Sequence, residues 1–241
     1  GHVVVYMGDD EKGEHIYKFV SNKKFDRKNK ANNRDLLDDG VLYVARFSSV
    51  DGQIKGEGEW LELTHGKNGL TEQAGFKDQA EVLIHARLAA TVVGATTMDR
   101  PEWVAAHPTL PQIFVTLTNN TDRGVKPNQA VNGPNPRAKN VYGQIVRWSP
   151  MNGDHTARTF TWDIFVLAGN PSKHQDAYRG SANVTADNMF NSPDGLSFDR
   201  DGRMWIQTDG DYSNAKEFEG MGNNQMLCAN ALTGEIKRFM V

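Results

Sequence analysis

The sequence predicts an all-β fold, a partial β-propeller with one amphipathic helix inserted, and three observations lead there. Short apolar runs of period two recur along most of the 241 residues, separated by turns rich in Asp, Asn and Gly. With 23 glycines in the chain, that is the pattern of many short antiparallel strands. The clearest unit, around Pro193 to Gly210, has a second copy at Pro101 to Asn119, and repeats of this kind mark architectures built around an axis. Only one stretch, Thr71 to Ala90, departs from strand spacing toward helical spacing.

Taken in order, Val3–Met7 and His15–Val20 read as a hairpin across the polar run Gly8–Gly13. Lys23–Asn33 is polar and basic, which suits a solvated connection better than a phosphate or nucleic-acid patch. Val41–Phe47 and Gly58–Leu63 form a strand pair around Asp51-Gly52. In the helical stretch, Phe76, Ala80, Leu83, Ile84 and Leu88 share one face, Thr71 and Glu72 supply a start, and Gly94 follows the end. That face is expected to pack on the sheet, with a mobile lid as the lesser alternative. Gly124–Asn140, rich in Pro, Asn and Gly, is a long loop.

Strands resume at Gly143–Trp148 and Thr159–Leu167 across Asn152-Gly153, and a second loop, Asn170–Asn188, follows. Leu196 and Phe198, then Met204, Ile206 and Thr208, alternate with polar residues on either side of Arg200-Asp201-Gly202, a hairpin running from Asp194 to Asp209. After the polar link Lys216–Gly222 comes a last pair, Gln225–Leu232 and Glu235–Met240. With blades of about 40 to 50 residues, the single domain 1–241 holds roughly four. The chain opens in one strand-like run, Val3–Tyr6, and stops in another, Ile236–Val241. A fragment of a longer propeller is therefore expected.

The net charge of −3 gives no basic face for nucleic acid, and no apolar run is long enough to span a bilayer. The single cysteine, Cys228, rules out an intrachain disulfide and reads as a buried small apolar residue. No zinc-type histidine spacing and no Gly-x-Ser-x-Gly elbow is present. Trp60, Trp103, Trp148, Trp162 and Trp205 all fall on strands, where packing explains them best.

The candidate chemistry collects at one end of the repeats. Antiparallel strands return to the level they start from, so Asp194 and Asp209 belong at the same end. Pro101 aligns with Pro193 and Glu102 with Asp194; in a propeller such positions converge on the channel mouth. Pro101 keeps its neighbours extended, so Arg100 and Glu102 should face the same space. A guanidinium there suits phosphate or sulfate and a carboxylate suits a metal, although an ordinary surface ion pair has the same residues. Three strand ends carry oxygen-rich clusters: Asp9-Asp10-Glu11, Asn119-Asn120-Thr121-Asp122 and Asp209-Gly210-Asp211. Converging oxygens are the ligand set of a hard cation such as Ca²⁺, while the same residues scattered apart would simply make turns. Asp199-Arg200-Asp201-Gly202 lacks the rest of a calcium loop and reads as a turn.

Met98-Asp-Arg-Pro-Glu102, Thr116-Leu-Thr-Asn-Asn120, Asn135-Pro-Arg137 with Asn140-Val-Tyr-Gly143, and Asn188 to Gly195 through Trp205-Ile-Gln-Thr-Asp209 together resemble the PhoX-type alkaline phosphatases, as does Gly8-Asp-Asp-Glu11 with Tyr17-Lys-Phe19. The likeness runs over nearly the whole chain. It implies an exported, periplasmic or secreted propeller hydrolase that takes small phosphate monoesters and uses iron and calcium. It further implies that Arg100 contacts phosphate, that Glu102 and Glu11 are metal ligands, and that Asp194 and Asp209 join them. The family's iron-binding cysteine belongs to a region not present in this chain, and Cys228 does not correspond to it, so part of a metal site is expected here. Two other readings remain: a calcium-dependent propeller lactonase of the gluconolactonase kind, needing no phosphate-binding arginine, and a non-catalytic scaffold with an apolar channel mouth and no metal.

Overall fold

The computed structural model describes residues 1–50, 52–210 and 213–241; Asp51 of the expected Asp51-Gly52 turn and Asp211 of the third oxygen-rich cluster lie outside them. Its strands are β1 His2–Gly8, β2 Ile16–Lys24, β3 Gly40–Ser49, β4 Lys55–Glu62, β5 Pro101–Ala106, β6 Ile113–Leu117, β7 Gln144–Pro150, β8 Thr159–Leu167, β9 Pro193–Phe198, β10 Arg203–Thr208, β11 Met226–Asn230 and β12 Ile236–Met240. They form three antiparallel four-stranded meanders, β1–β4, β5–β8 and β9–β12, near the blade count read from the sequence. The first two join edge to edge where β4 pairs with β8, Lys55 opposite Asp163 to Glu59 opposite Thr159. β5 in turn lies alongside both β1 and β9. The eight-stranded sheet is thus folded back toward closure, and the third meander continues the propeller-type arrangement from the β5 side.

Alternation along the strands decides what is buried. Trp60 on β4, Trp148 on β7, Phe160 and Trp162 on β8 and Phe47 on β3 all point into the space enclosed by the folded sheet. Their rings meet at tilted or edge-on angles: Trp60 and Phe160 centroids lie 5.2 Å apart, Phe47 and Trp162 5.6 Å. Ring pairs of this geometry contribute about 0.5–1.5 kcal/mol beyond the area they bury. A second core joins the meanders, with Phe114, Ile145 and Phe165 against Leu196, Met204, Ile206 and Leu227. Three of the five tryptophans thus pack as expected. Trp103 does not: it is 53% exposed. Cys228 is likewise only half-buried, since Leu227 and Ala229 take the inward positions of β11.

The expected helix over residues 71–90 is two short ones. A single turn at Glu72–Ala74 precedes α1 Gln79–Ile84 and α2 Ala86–Val92. Asp78 begins α1 by accepting a hydrogen bond from Glu81 N (3.0 Å), and His85 (φ −105°, ψ 41°) breaks the run. Of the expected stripe only Phe76 is buried, and Ala80 is exposed with the rest. Phe76, Val82, Ala89, Ala90 and Val93 pack on Tyr17, Val44 and Leu63, while Leu83, Ile84 and Leu88 face solvent. Both stripes have helical spacing. The one with alanines lets the helix approach the sheet closely, which periodicity alone does not reveal.

Candidate active site

β5 and β9 both begin, and β1, β6 and β10 end, at one end of the fold. Close approach of backbones fixes this: a Cβ on Gly8 would lie 2.3 Å from the Pro101 carbonyl oxygen, so only glycine lets β1 end beside the start of β5. The two repeats are matched in detail. Arg100-Pro101-Glu102 opens β5 and Ser192-Pro193-Asp194 opens β9. Thr118 N donates to Arg100 O at 3.2 Å, and Asp209 N to Ser192 O at 2.9 Å. Arg100 is not extended, as its proline neighbour suggested. Its φ is +58° and that of Ser192 is +49°, a region costly for residues with a side chain. The hydrogen bond that closes each hairpin holds both residues there. Arg100 and Glu102 nonetheless face the same space, as expected, with 3.9 Å between guanidinium and carboxylate.

Arg100 donates from Nε and Nη2 to the two oxygens of Asp10, at 3.0 and 3.2 Å. Glu102 Oε2 accepts from Thr118 Oγ1 at 2.7 Å. Asp194 shares a hydrogen bond with Glu102 and feels the charges of Glu102, Asp209 and Asp10; partial burial first, and these neighbours next, push its carboxyl up to about 6. Thr116 Oγ1 donates to Asp194 O at 2.8 Å, tying the β6 backbone to the head of β9. The structure therefore brings together Arg100, Glu102, Asp194 and Asp209. Within the acidic loop the roles divide. Asp9 pairs with Arg87 of α2 (2.6 Å), Asp10 takes Arg100, and Glu11 is exposed, accepting from Lys12 N at 2.7 Å.

Beneath this surface lies a buried polar layer that sequence reasoning did not single out. Asp99 and Arg123 form an ion pair of 2.7 Å with no exposed side-chain area on either partner. Asp99 also accepts from Asn120 and Asn140, both at 2.9 Å, and its backbone N donates to Asn135 Oδ1 at 3.0 Å. Buried polar groups need partners, and here they find them in one another. The signal in the sequence was the run of Asn and Gln in the 120–144 loop, which reads as turn formers until the fold packs it under Arg100.

Glu102, Asp194 and Asp209 are an all-oxygen donor set, and their mutual repulsion, seen at Asp194, is what a hard cation would relieve. In donor chemistry they fit calcium, and no thiol or imidazole joins them. Among the described residues no three His, Cys, Asp or Glu side chains form a ready-made metal-binding group.

The family model for the alkaline phosphatase PhoX matches residues 1–241. The chain belongs to the PhoX family. Among solved structures, Pseudomonas fluorescens PhoX in complex with vanadate, a transition state analogue, is 63% identical to it, with a TM-score of 0.98. The match covers 100% of this chain and 42% of that one, so the chain spans less than half the length of that relative. No curated protein sequence matches it. Membership of the PhoX family sets the gluconolactonase-type reading aside, and the match to that relative agrees with the propeller-type arrangement of the meanders.

Proposed function

We propose that this chain forms part of a metal-dependent phosphatase that hydrolyses small phosphate monoesters, with Arg100 as the phosphate contact and Glu102, Asp194 and Asp209 as metal ligands. Glu11, at the exposed rim, is the further carboxylate of that set. The observation that supports this most is that Glu102, beside Arg100, meets Asp194 of the second repeat, in a chain of the PhoX family whose relative from Pseudomonas fluorescens binds vanadate.

Each residue has a distinct task. The Arg100 guanidinium offers N–H donors to non-bridging phosphate oxygens, where charge grows as the ester bond breaks. Thr118 holds one oxygen of Glu102, leaving the other for a cation. Bound calcium, together with iron, would polarise a phosphoryl oxygen and activate a nucleophile. Family membership supports a periplasmic or secreted setting; among the described residues no helix is long and apolar enough to cross a membrane.

The test is p-nitrophenyl phosphate hydrolysis by the full-length protein with calcium and iron supplied, beside Arg100→Ala and Glu102→Ala. Loss of one set of transition-state contacts is expected to lower turnover by about 10²–10³-fold. Unaltered turnover in both variants would remove the proposed site.

A further inference from the structure

We propose that Asp10 is the positioning residue of Arg100, fixing the guanidinium beside Glu102 and ready for phosphate; this rests on the phosphatase reading above. The backbone of Arg100 is clamped from every side. Its carbonyl accepts from Thr118 N, and Asp99, one residue earlier, is locked into the buried layer by Arg123, Asn120 and Asn140. The side chain, however, has several rotatable bonds beyond that clamp. Its head is held by Asp10 through two hydrogen bonds, 3.0 and 3.2 Å, while Glu102 stands farther off at 3.9 Å.

Which carboxylate wins the arginine decides what it can do. Glu102, which stands beside Asp194 and Asp209, belongs to a cluster of acids that together offer a stronger pull than a single one. If the guanidinium swung onto Glu102, a fixed cation would sit where a metal ion is to bind, and its donors would be spent. Asp10 prevents this by forked pairing, which fixes the plane of the group as well as its place. It uses Nε and one hydrogen of Nη2. Nη1 makes no hydrogen bond among the described residues, so that edge of the fork remains for a phosphate oxygen. Asp10 can act this way because the loop it stands on is itself anchored: Asp9 pairs with Arg87 of α2, Glu11 N donates to Asp9 O (2.8 Å), and Gly13 N to Met98 O (2.9 Å). The pair is only partly shielded, with 25% and 39% of the two side chains exposed, so its removal should not unfold the chain.

Asp10→Asn and Asp10→Glu in the full-length protein test the idea. The readouts are KM and kcat for p-nitrophenyl phosphate, the dissociation constant of inorganic phosphate by calorimetry, calcium affinity, and the melting temperature. For Asp10→Asn, the phosphate dissociation constant should rise about tenfold and kcat/KM fall at least as far, with calcium affinity and the melting temperature unchanged. Asp10→Glu should recover part of the affinity. Unchanged phosphate affinity in an active parent background would overturn the proposal. So would a loss of calcium affinity that accounts for the whole effect, since that would make Asp10 a metal ligand, or a parallel fall in melting temperature. A parent protein that neither binds phosphate nor hydrolyses the ester would instead refute the phosphatase reading itself.

Discussion

Replacing Asp99 by Asn keeps its shape and removes its charge at the centre of the buried layer. The carboxylate now accepts from Arg123 Nε (2.7 Å), Asn120 Nδ2 (2.9 Å) and Asn140 Nδ2 (2.9 Å). An amide offers one acceptor oxygen and turns an NH₂ toward groups that are themselves donors. Arg123, with no exposed side-chain area, would keep only the Thr97 hydroxyl and the carbonyls of Thr97 and Ala130 and no counter-charge. Breaking a buried pair from one side costs about 3–5 kcal/mol. For a chain of this size each kcal/mol moves the melting temperature by about 2–4 °C, so a fall of roughly 6–20 °C is expected by calorimetry, with a matching shift in urea midpoint. The control is Asp122→Asn, whose pair with Lys126 one helical turn away is exposed (2.8 Å) and should change stability by less than about 0.5 kcal/mol. Adding Arg123→Met to Asp99→Asn should recover part of the loss, because the uncompensated charge goes too. A loss under about 1 kcal/mol for Asp99→Asn, no larger than the control, would refute the idea that this layer supports the Arg100 segment.

Three further outcomes follow from other parts of the molecule. Lys18 is buried over the Tyr43 and Trp60 rings, with its amine on the Ala157 carbonyl (2.6 Å), and burial pushes it down to about 7. The unfolded chain then binds the extra proton between about pH 7 and 10.5, so stability should rise with pH across that window and the rise should vanish in Lys18→Met; a flat urea midpoint in the parent would count against it. Asp194, raised to about 6 from 3.8, works in the other direction: without metal, its contribution to stability is full below about pH 4 and is lost as pH rises through 6, and calcium should abolish that loss, which melting of the parent against Asp194→Asn with chelator or with added Ca²⁺ will show. Gly8→Ala sets a methyl against the Pro101 carbonyl and should cost about 1–3 kcal/mol while weakening phosphate binding; full phosphate affinity would show that β1 and β5 need not touch there.

The sequence by itself determined the strands, their hairpins and the pairing of the two repeats, because period-two burial and Asp/Gly turns are local rules. Pro193 to Thr208 folds as the alternation requires, and Pro101 to Leu117 repeats it with the same one-residue offset. It also determined that Arg100, Glu102, Asp194 and Asp209 would share one end, since equivalent positions of repeats set around an axis must meet. Tertiary structure decided the rest. Which stripe of the 76–93 segment is buried depended on how near the sheet allows a helix to come. Which acid of the 9–11 loop takes Arg100 depended on where α2 places Arg87. The left-handed backbone of Arg100 and Ser192, and the burial of Asp99 with Arg123, exist only because strands remote in sequence supply their hydrogen-bond partners, and no local pattern carries that information.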